Sequence, residues 1–563
     1  MLAAKNTFAD RVFKNGSIYT VDKRRSWARA VALRGGEIIY VGDNQGVEKA
    51  IGPRTRVIDL DGKLMLPGFH DVHVHLYDGG MQSLQCDLWD CPTLDQAIFR
   101  MENYIQGQGP DAKGWIQCPG LQKTCAHEVS RDILDKLSPR RPIYILTFDG
   151  HSCWANSKAL ELAGIDRDTP DPPQGRIERL PGSQEPNGYL HDFAARMVKD
   201  AIPSPALEDR LKSLKSSMAA AHRLGITSII EPGADDALME PYLELSRCQA
   251  LTLRVRASIS PINWQPGAFG DEVFDFVDAR TKYRRPGIDV ESVKMYIDGV
   301  LENGSAVLLE PYINDTWNGN APFYTQEDLN RYITWVDSQD LQVHLHAIGD
   351  GGVRMALDAF EAAQKANGKK DNRHHICHVQ MIDPGDVPRF AELNVTANFQ
   401  SLWAFPDPYV TDSGLAAVGE ERLKTFYVIG SVHRSGGRIA CGSDWFVSSL
   451  NPLDAIEVGV RRQDPDLPEG APQLNPQEAV DLATMIEGYT INGAYLMHQD
   501  GMVGSIETGK RADLIVLDRN LFDIPATEIN QAKVLLTLFD GQVVYNTDEL
   551  SNSEKFWSDD YDE

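Results

Sequence analysis

Basic residues and long apolar runs are both scarce in this chain, and each shortage excludes a class of partner. Lys and Arg number 55 against 81 Asp and Glu, so the 563 residues carry a formal net charge of −26. Nucleic acid binding requires basic patches that neutralise phosphates, and anionic membrane surfaces also attract positive charge, so we expect neither partner. No run approaches the roughly 18 apolar residues of a membrane span, and the N-terminal segment lacks the apolar core of a secretory signal.

Cysteine is scarce as well. The chain has no CxxC pair, and its cysteines are too widely spaced for a disulfide framework or a zinc finger. They are Cys86, Cys91, Cys118, Cys125, Cys153, Cys248, Cys377 and Cys441. We interpret them as small buried side chains that stay reduced, which favours a cytoplasmic protein.

Both ends of the chain contain short β-branched runs separated by turn dipeptides. In residues 1–64 the dipeptides NG, GG and DG lie between such runs, and residues 505–547 show the same pattern. These dipeptides favour tight hairpin turns. We therefore predict one small β-sandwich built from residues 1–64 and 505–547, followed by an acidic tail over 548–563.

Between the ends, apolar strand-like runs alternate with helical patterns, which is typical of a parallel α/β barrel. The eight candidate strands are 65–75, 226–232, 253–261, 292–299, 341–349, 374–381, 394–401 and 438–444. Segments such as ALEDRLKSLKSSMAAAHRLG place apolar residues at i, i+3 and i+4 between them. The expected fold is α/β, a distorted (β/α)8 TIM barrel formed by residues 65–76 and 206–504.

Residues 77–205 are too long for a loop between the first and second barrel strands. They contain a further strand-like run, PIYILTFDG, and the Pro- and Gly-rich stretch TPDPPQGRIERLPGSQEPNG. We interpret 77–205 as an inserted subdomain, or lid, over the barrel mouth. The alternative is a ninth strand in another kind of α/β sheet.

Several predicted strands end in a side chain that binds divalent metals. A barrel collects the carboxyl ends of its strands at one mouth, so ligands distant in sequence converge there without a local motif. His73 and His75 lie two apart in a predicted strand, so both point to one face, while His346, His378 and Asp444 follow later runs. We predict metal ligation by these five residues, with Asp444 also accepting the proton of the attacking water. The alternative role of Asp444 is to cap the next helix.

Periodicity leaves two choices among the histidines open. His344 shares the facing of His346, and His374 and His375 compete with His378. Isolated histidines in such places are more often structural, and only their occurrence on successive strands favours ligation.

Lys294 lies in the fourth predicted strand, and its ordinary chemical form is unfavourable for a metal site. Its ammonium group repels cations, whereas carboxylation by CO2 would convert the amine into an anion able to bridge two ions. The alternative is an ordinary strand lysine paired with Asp298.

These motifs together resemble the metal-dependent amidohydrolase superfamily, in the branch that includes N-substituted formamide deformylases. The likeness covers nearly the whole length and rests on LMLPGFHDVHVHL, FDGHSCWANSKAL, VKMYIDGVLENGSA, HLHAIGDGGV, IACGSDWFV, INGAYLM and GSIETGKRADLIVLD. The resemblance implies metal ligation by His73, His75, carboxylated Lys294, His346, His378 and Asp444, with Asp444 also the catalytic base. It favours His346 over His344 through the match of HAIGD, and it implies a homodimer.

The resemblance also implies that the insert contributes to the site. His151 and Asn156 of FDGHSCWANSKAL would reach toward the metal, with His151 as a second catalytic residue that polarises the carbonyl or holds the leaving group. The alternative for His151 is a turn-stabilising role. Cys377 and His191 depart from the family pattern, since acidic residues are usual at both positions, and this bears on the substrate more than on the metal.

Aromatic side chains near the predicted mouth loops favour an apolar substrate pocket. Gln400 and Trp403 follow the seventh predicted strand, Trp445 follows the eighth, and Trp89 lies in the insert. We predict that these four residues, like Asn156, contact the substrate, with ordinary packing as the alternative.

The expected reaction is hydrolysis of an amide C–N bond in a small molecule such as an N-formyl or N-acyl amine. One or two zinc ions would lower the pKa of bound water and polarise the carbonyl. The His-rich, carboxylate-completed set favours zinc, although iron, manganese or cobalt suit similar ligands. The alternatives are an ester, lactone or cyclic amidine hydrolase with the same site, or a non-catalytic binding protein that retains the barrel.

Overall fold

The computed structural model describes residues 8–547, except residues 83, 110–111, 123–124, 126–128, 149, 174, 261–273, 275–276 and 314–321. The acidic tail predicted for 548–563 lies outside the described residues. No helix within the described ranges is long and apolar enough to cross a membrane.

A sheet of eight parallel strands forms the centre of the described chain and confirms the predicted α/β barrel. Each strand pairs with the next one along the sequence. Barrel strands one to eight are Phe69–Asp71, Ile226–Ala234, Arg254–Ile259, Ile288–Tyr296, Gln342–Ala347, His375–His378, Thr396–Phe399 and Ile439–Cys441. The barrel nearly closes, because Val72 N donates to Cys441 O at 3.3 Å and Asp444 N donates to His73 O at 2.7 Å.

Helices pack around these strands with one apolar face turned inward. The α-helices outside the insert are Asn44–Val47, Leu76–Gln82, Leu207–Arg223, Asp236–Arg247, Gln326–Ser338, Asp350–Asn367, Val387–Glu392, Leu415–Leu423, Ile429–Arg434, Pro452–Arg461, Leu482–Gly488 and Ile491–Leu496. In Asp350–Asn367, Val353, Ala356, Leu357 and Phe360 recur at helical spacing and are all buried. They join the apolar core that these helices share with the barrel strands.

Two further sheets are built from the ends of the chain, and the second of them combines strands from both ends. One has the order Glu37–Gly42, Ala30–Arg34, Arg11–Lys14, Arg56–Asp59. The other has the order Gln542–Asn546, Val534–Phe539, Leu514–Leu517, Leu64–Pro67, Ser17–Tyr19, Trp27–Ala28. Phe13 and Leu33 of the first sheet share one buried core with Met65 and Val516 of the second, as in a sandwich. The Asp540–Gly541 turn has positive φ at both residues, as a tight hairpin requires.

The boundary between these sheets and the barrel differs from the predicted one. The sequence predicts that the barrel begins at Met65, but Leu64–Pro67 belongs to the six-stranded sheet and barrel strand one begins at Phe69. The chain changes sheets at Gly68, where a Cβ atom would come within 2.3 Å of the Thr227 hydroxyl oxygen. One continuous apolar run therefore forms two strands that belong to different sheets. Hydrophobicity alone does not show where the first strand ends and the second begins.

The insert between barrel strands one and two has a sheet of its own. Its strands have the order Gly175–Arg179, Pro186–Asp192, Ser152–Ala155, Ile143–Thr147, Ile116–Leu121. Its α-helices are Leu94–Gly107, Arg131–Leu137, Ser157–Leu162 and Phe193–Asp200. The run PIYILTFDG thus forms a strand of this separate sheet and not a ninth strand beside the barrel. The consecutive residues Tyr144 and Ile145 enter apolar clusters on opposite faces of the sheet.

A buried histidine links the barrel to the terminal sheets. His222 lies in the last turn of Leu207–Arg223, with Nδ1 3.2 Å from Ile226 O and Nε2 2.9 Å from Thr252 Oγ1. Its carbonyl oxygen accepts a hydrogen bond from Thr537 Oγ1 at 2.7 Å. Burial lowers the pKa of His222 to about 4.

We predict that His222→Gln weakens the acid sensitivity of folding. The unfolded chain protonates this residue below about pH 6.5, whereas the folded protein keeps it neutral down to about pH 4, so the free energy of unfolding falls as pH drops through that window. One such group contributes a slope of at most ~1.4 kcal/mol per pH unit. Denaturant unfolding of metal-free protein across the window measures the slope. His433→Gln, at an exposed position, is the control that keeps the wild-type slope. An unchanged slope in His222→Gln would contradict the assignment.

Candidate metal centre

One cavity at the carboxyl ends of the barrel strands collects most of the predicted site residues. It encloses about 1400 Å³ between the barrel mouth and the insert. The predicted residues that line it are His73, His75, Trp89, His151, Lys294, His346, His378, Trp403, Asp444 and Trp445. Side chains from distant parts of the sequence therefore share one wall, as convergence at a barrel mouth requires.

The carboxylate of Asp71 joins the loops that follow strands one and eight. Its Oδ1 accepts hydrogen bonds from His73 N at 3.2 Å and from Ser443 N at 2.9 Å, beside the bond from Asp444 N to His73 O. This contact corrects the predicted geometry of the HxH pair. His73 and His75 lie past the end of strand one, in a bend that Asp71 holds, so the turn and not strand alternation brings their side chains together.

Three imidazoles surround the carboxylate of Asp444. His73 Nε2 and His75 Nε2 lie 3.4 and 3.3 Å from Asp444 Oδ1, and His378 Nδ1 lies 3.8 Å from Oδ2. Ligands held at 2.0–2.2 Å around a tetrahedral ion lie roughly 3.3–3.6 Å apart, so the spacing fits donors around one ion. Among the described residues, His378 Nδ1 and Asp444 Oδ1 have no hydrogen-bond partner although both are buried. A metal ion would satisfy these two atoms.

The backbone is strained at two of these residues. His378 and Asp444 have φ of 73° and 53°, in the left-handed region that costs energy for residues other than glycine. Such strain persists where the surrounding structure enforces it, often at functional sites. Here it lies where strands six and eight end and the chain turns. His378 lines the cavity, whereas the competing His374 and His375 are not among its lining residues.

Asp298 fixes the orientation of His346. Its Oδ1 lies 3.2 Å from His346 Nδ1, while Ile348 N and Gly349 N donate to its two oxygens at 3.0 and 2.9 Å. The backbone thus anchors the carboxylate, which holds one nitrogen of the ring and leaves the other to face the cavity. Asp298 is therefore the partner of His346 and not of Lys294, the pairing that the sequence offered as an alternative.

Lys294 instead contacts a thiol. Its Nζ donates to Cys377 Sγ at 3.1 Å and lies 4.7 Å from the centre of the Tyr296 ring. Lys294 and Cys377 are both completely buried. Burial lowers the pKa of Lys294 and raises the pKa of Cys377 to about 11, so both groups are shifted toward their neutral forms.

His344 lies deeper in the barrel than His346. His346 lines the cavity, whereas His344 Nε2 lies 2.9 Å from His73 Nδ1 and His344 Nδ1 lies 3.1 Å from Ser258 Oγ. A ring whose far nitrogen has a neighbour keeps a fixed tautomer and orientation. These positions favour His346 as a ligand and His344 as the residue that orients His73.

Burial sets charge states that suit a cation. It lowers the pKa of His73 to about 3 and also lowers the pKa of His346 and His378, so these rings stay neutral near pH 7. Burial opposes ionisation of Asp444, but its electrostatic interactions with the surrounding histidines, His73 first, bring its pKa well below the usual range. Neutral imidazole and ionised carboxylate are the forms that bind metal.

The insert adds His151 to the cavity wall. The ring centre of His151 lies 6.4 Å from that of His346, and its Nδ1 lies 2.9 Å from Asp192 Oδ1. Asp192 has a positive φ of 47°, and its neighbour His191 instead contacts Glu178 Oε1 at 3.1 Å. The sequence alone did not identify Asp192, because the family pattern draws attention to position 191. The feature that could have identified it is that an acidic residue lies directly beside that position.

Asn156 lies away from the cavity wall, which corrects its predicted substrate contact. Its Oδ1 accepts hydrogen bonds from Ile143 N and Ala159 N, both at 2.9 Å. Its Nδ2 donates to Ser138 O and Arg141 O at 3.0 and 2.9 Å. The amide is therefore used to cap a helix and to hold the insert sheet.

Gln400 is also not among the cavity-lining residues. It is completely buried, and its amide has no hydrogen-bond partner among the described residues. After Gln400 the chain forms the 3₁₀ helix Ser401–Trp403, which presents Leu402 and Trp403 to the cavity instead. The Trp403 ring stacks on His378 with ring centres 5.8 Å apart.

Comparison with known proteins identifies the family of this chain. Residues 56–545 match the amidohydrolase family. The chain belongs to that family. Membership confirms the resemblance that the motifs indicated. It also confirms the expectation that the chain is a metal-dependent hydrolase that acts on carbon–nitrogen bonds.

Some relatives of this amidohydrolase match nearly the whole chain. It is 31% identical over 552 residues to the protein LONG AFTER FAR-RED 3 of Arabidopsis thaliana, covering 95% of this chain and 92% of that one. It is 29% identical over 563 residues to the N-substituted formamide deformylase of Arthrobacter pascens, covering 95% and 98%. An uncharacterized metal-dependent hydrolase from Pyrococcus horikoshii aligns with a TM-score of 0.73 at 22% identity, over 92% of this chain and 99% of that one, and shares the fold.

We predict that Asp298→Asn weakens zinc binding by this amidohydrolase about 10–100-fold, because the partner of a ligating histidine contributes that much to affinity. Competition with a chelator on metal-depleted protein measures the affinity. Asp337→Asn is the matched control. Asp337 Oδ1 also contacts a histidine, His374 Nε2 at 3.0 Å, but neither residue is among those lining the cavity. Equal zinc affinity in wild type and Asp298→Asn would contradict the prediction.

Proposed function

We propose that this amidohydrolase cleaves the amide bond of a small-molecule N-formyl or N-acyl amine. The observation that carries the proposal is the convergence of His73, His75 and His378 on Asp444 within a cavity that holds a whole small molecule. The 29% sequence identity to an N-substituted formamide deformylase, over nearly the full length, supports cleavage of the same class of bond.

Zinc is the proposed ion, in one or two copies. The residues that would hold it are His73, His75, Lys294, His346, His378 and Asp444. When bound, zinc supplies a water of lowered pKa and polarises a carbonyl oxygen. The donor spacing around Asp444 suits a tetrahedral ion, and the imidazole and carboxylate set also suits iron, manganese or cobalt.

Asp444 is the general base in this proposal. Its Oδ1 faces His73 and His75, so Oδ2 is the oxygen placed to take the proton of the attacking water. The carboxyl group then returns that proton to the nitrogen of the leaving amine. The lowered pKa of Asp444 keeps the carboxylate ionised, which is the form that can accept a proton.

His151 is the proposed second catalytic residue. It enters the cavity from the insert, on the side opposite the barrel floor, and Asp192 Oδ1 holds its Nδ1. A ring fixed in this way donates a hydrogen bond to the carbonyl oxygen as negative charge develops there. The carboxylate of Asp192 stabilises the ring as an imidazolium and so supports that donation.

The cavity mouth favours a substrate with a bulky aromatic part. Trp89 and Phe148 of the insert meet at ring centres 5.0 Å apart, and Phe148 stacks on Tyr409 of the barrel at 4.8 Å. Trp403 and Trp445 also line the cavity, and we propose that both contact the substrate together with Trp89. A volume of about 1400 Å³ far exceeds a formyl group, so the amine carries most of the contact surface.

Carboxylation of Lys294 is part of the proposal. The amine is completely buried and its pKa is lowered by that burial, which favours the neutral form that reacts with CO2. A carbamate carbon resonance after growth with ¹³C-labelled bicarbonate, absent from Lys294→Met, would establish it. Its absence from wild-type protein would exclude it.

We also propose a cytoplasmic homodimer without nucleic acid or membrane partners. The eight cysteines, all among the described residues, form no disulfide with one another, which supports a reducing compartment, and the net charge of −26 disfavours phosphate-rich partners. The family resemblance supports the dimer. Sedimentation would show twice the chain mass of 62.6 kDa for a dimer, and the single mass would exclude it.

We predict that Asp444→Asn abolishes most turnover of the best substrate in a screen of N-formyl, N-acetyl and longer N-acyl aromatic and aliphatic amines, with zinc and bicarbonate supplied. Loss of a general base lowers kcat by about 10²–10⁴-fold. Asp454→Asn is the control, since Asp454 lines the same cavity but is bonded to Ser449 and Asn451 at the start of a helix, and it keeps wild-type kcat. Metal content is measured in parallel. Undiminished turnover in a metal-loaded Asp444→Asn would rule out the base, and ester but not amide turnover by wild type would overturn the proposed bond.

A further inference from the structure

The thiol of Cys377 lies against Lys294, one of the proposed metal ligands. Cys377 is completely buried on barrel strand six, directly before His378. Its Sγ and one ring nitrogen each of His73 and His344 all lie within 4.8 Å of one another. Lys294 Nζ approaches the same sulfur to 3.1 Å.

This group of possible ligands shares a residue with the group around the carboxylate. His73 belongs both to the set with His75 and Asp444 and to the set with His344 and Cys377. The two groups therefore adjoin at His73, with the sulfur on the side of His344. A buried thiol whose neighbours are imidazole nitrogens and an amine lacks the apolar surroundings of an ordinary packed cysteine.

Another buried cysteine shows the difference. Cys441 also lies at the end of a barrel strand and is completely buried. Its sulfur lies against Gly488 and interacts with the Ser401 side chain, and it belongs to no group of metal-ligating atoms among the described residues.

We propose that Cys377 is a metal ligand of this centre and binds the ion as a thiolate. On metal entry the S–H bond is lost, its proton passes to solvent, and a sulfur–metal bond forms. The centre is then a mixed imidazole, carboxylate and thiolate site. A thiolate is a soft ligand, so it favours zinc over magnesium or manganese. The proposal rests on the metal centre of the proposed function but on no particular substrate.

The contact with Lys294 is compatible with both chemical states of the lysine. An unmodified amine donates N–H to the sulfur. A carboxylated lysine keeps one hydrogen on Nζ and can donate it in the same way. In both cases the hydrogen bond stabilises negative charge on Cys377 Sγ.

Cobalt binding tests the proposal without any substrate. Metal-depleted full-length protein carrying Cys248→Ser, which removes an exposed thiol, is titrated with Co²⁺ and followed by absorption. The expected result is a near-ultraviolet thiolate-to-cobalt charge-transfer band that saturates with the first ions bound. Cys377→Ser loses this band. Cys377→Asp, which offers an oxygen ligand of similar size, also loses it but keeps the visible bands of bound Co²⁺.

Two cysteine controls locate the sulfur. Cys441→Ser tests loss of a buried strand-end thiol, and Cys86→Ser tests the thiol that interacts with Cys118 in the insert. Both are expected to keep the band.

The proposal is overturned if bound Co²⁺ gives no charge-transfer band, if the band persists in Cys377→Ser, or if it disappears in Cys86→Ser instead. Failure to bind Co²⁺ at all overturns the metal centre together with this proposal. Absence of amide turnover with the band intact contradicts only the proposed function, so the two failures are distinguishable.

Discussion

The carboxylate of Asp444 is the point at which the two ends of the barrel sheet meet. Strand eight delivers it at a positive φ, and the loop after strand one brings His73 and His75 against one of its oxygens. The carboxylate of Asp71 holds both loops, because it accepts hydrogen bonds from the backbone N–H groups of His73 and Ser443. Because the sheet closes at this place, any change in barrel closure alters the donor spacing that a metal ion requires.

The barrel and the insert contribute different groups to the site. The barrel floor holds the ionic groups, buried and with fixed neighbours, so their charges are set by burial and by one another. The insert covers the floor with aromatic rings and adds His151, whose orientation Asp192 controls. An amidohydrolase built in this way can change its substrate range through the insert while the chemistry of the floor stays constant.

Much of this arrangement is readable from sequence because the barrel strands are β-branched, apolar runs that end in polar residues. Each of the eight predicted runs overlaps a strand of the barrel, although strands two and four extend beyond the predicted bounds. Side chains at strand ends, such as His346 and Asp444, line the cavity because strand ends share one mouth. The division of Leu64–Pro67 from Phe69 was not predictable in the same way, since both segments are equally apolar and only tertiary pairing assigns them to different sheets.

The residues missed or misplaced from sequence are those whose roles depend on local turns. Asn156 matches a motif, yet its side-chain amide is hydrogen-bonded to backbone groups of the insert. Gln400 is buried outside the cavity wall, directly before a 3₁₀ helix. Asp192 reaches His151 only through a positive φ that no periodicity reports. Asp298 lies two residues past the end of its strand, where hydrophobic patterns carry no information about partners.

Anomalous diffraction at the zinc absorption edge tests the central claim most directly. Crystals of the zinc-loaded protein are predicted to show an anomalous peak within ligand distance, about 2.0–2.3 Å, of His73, His75 and Asp444. A strong peak elsewhere in the molecule, or fully loaded crystals in which none of these side chains touches the ion, would contradict the account.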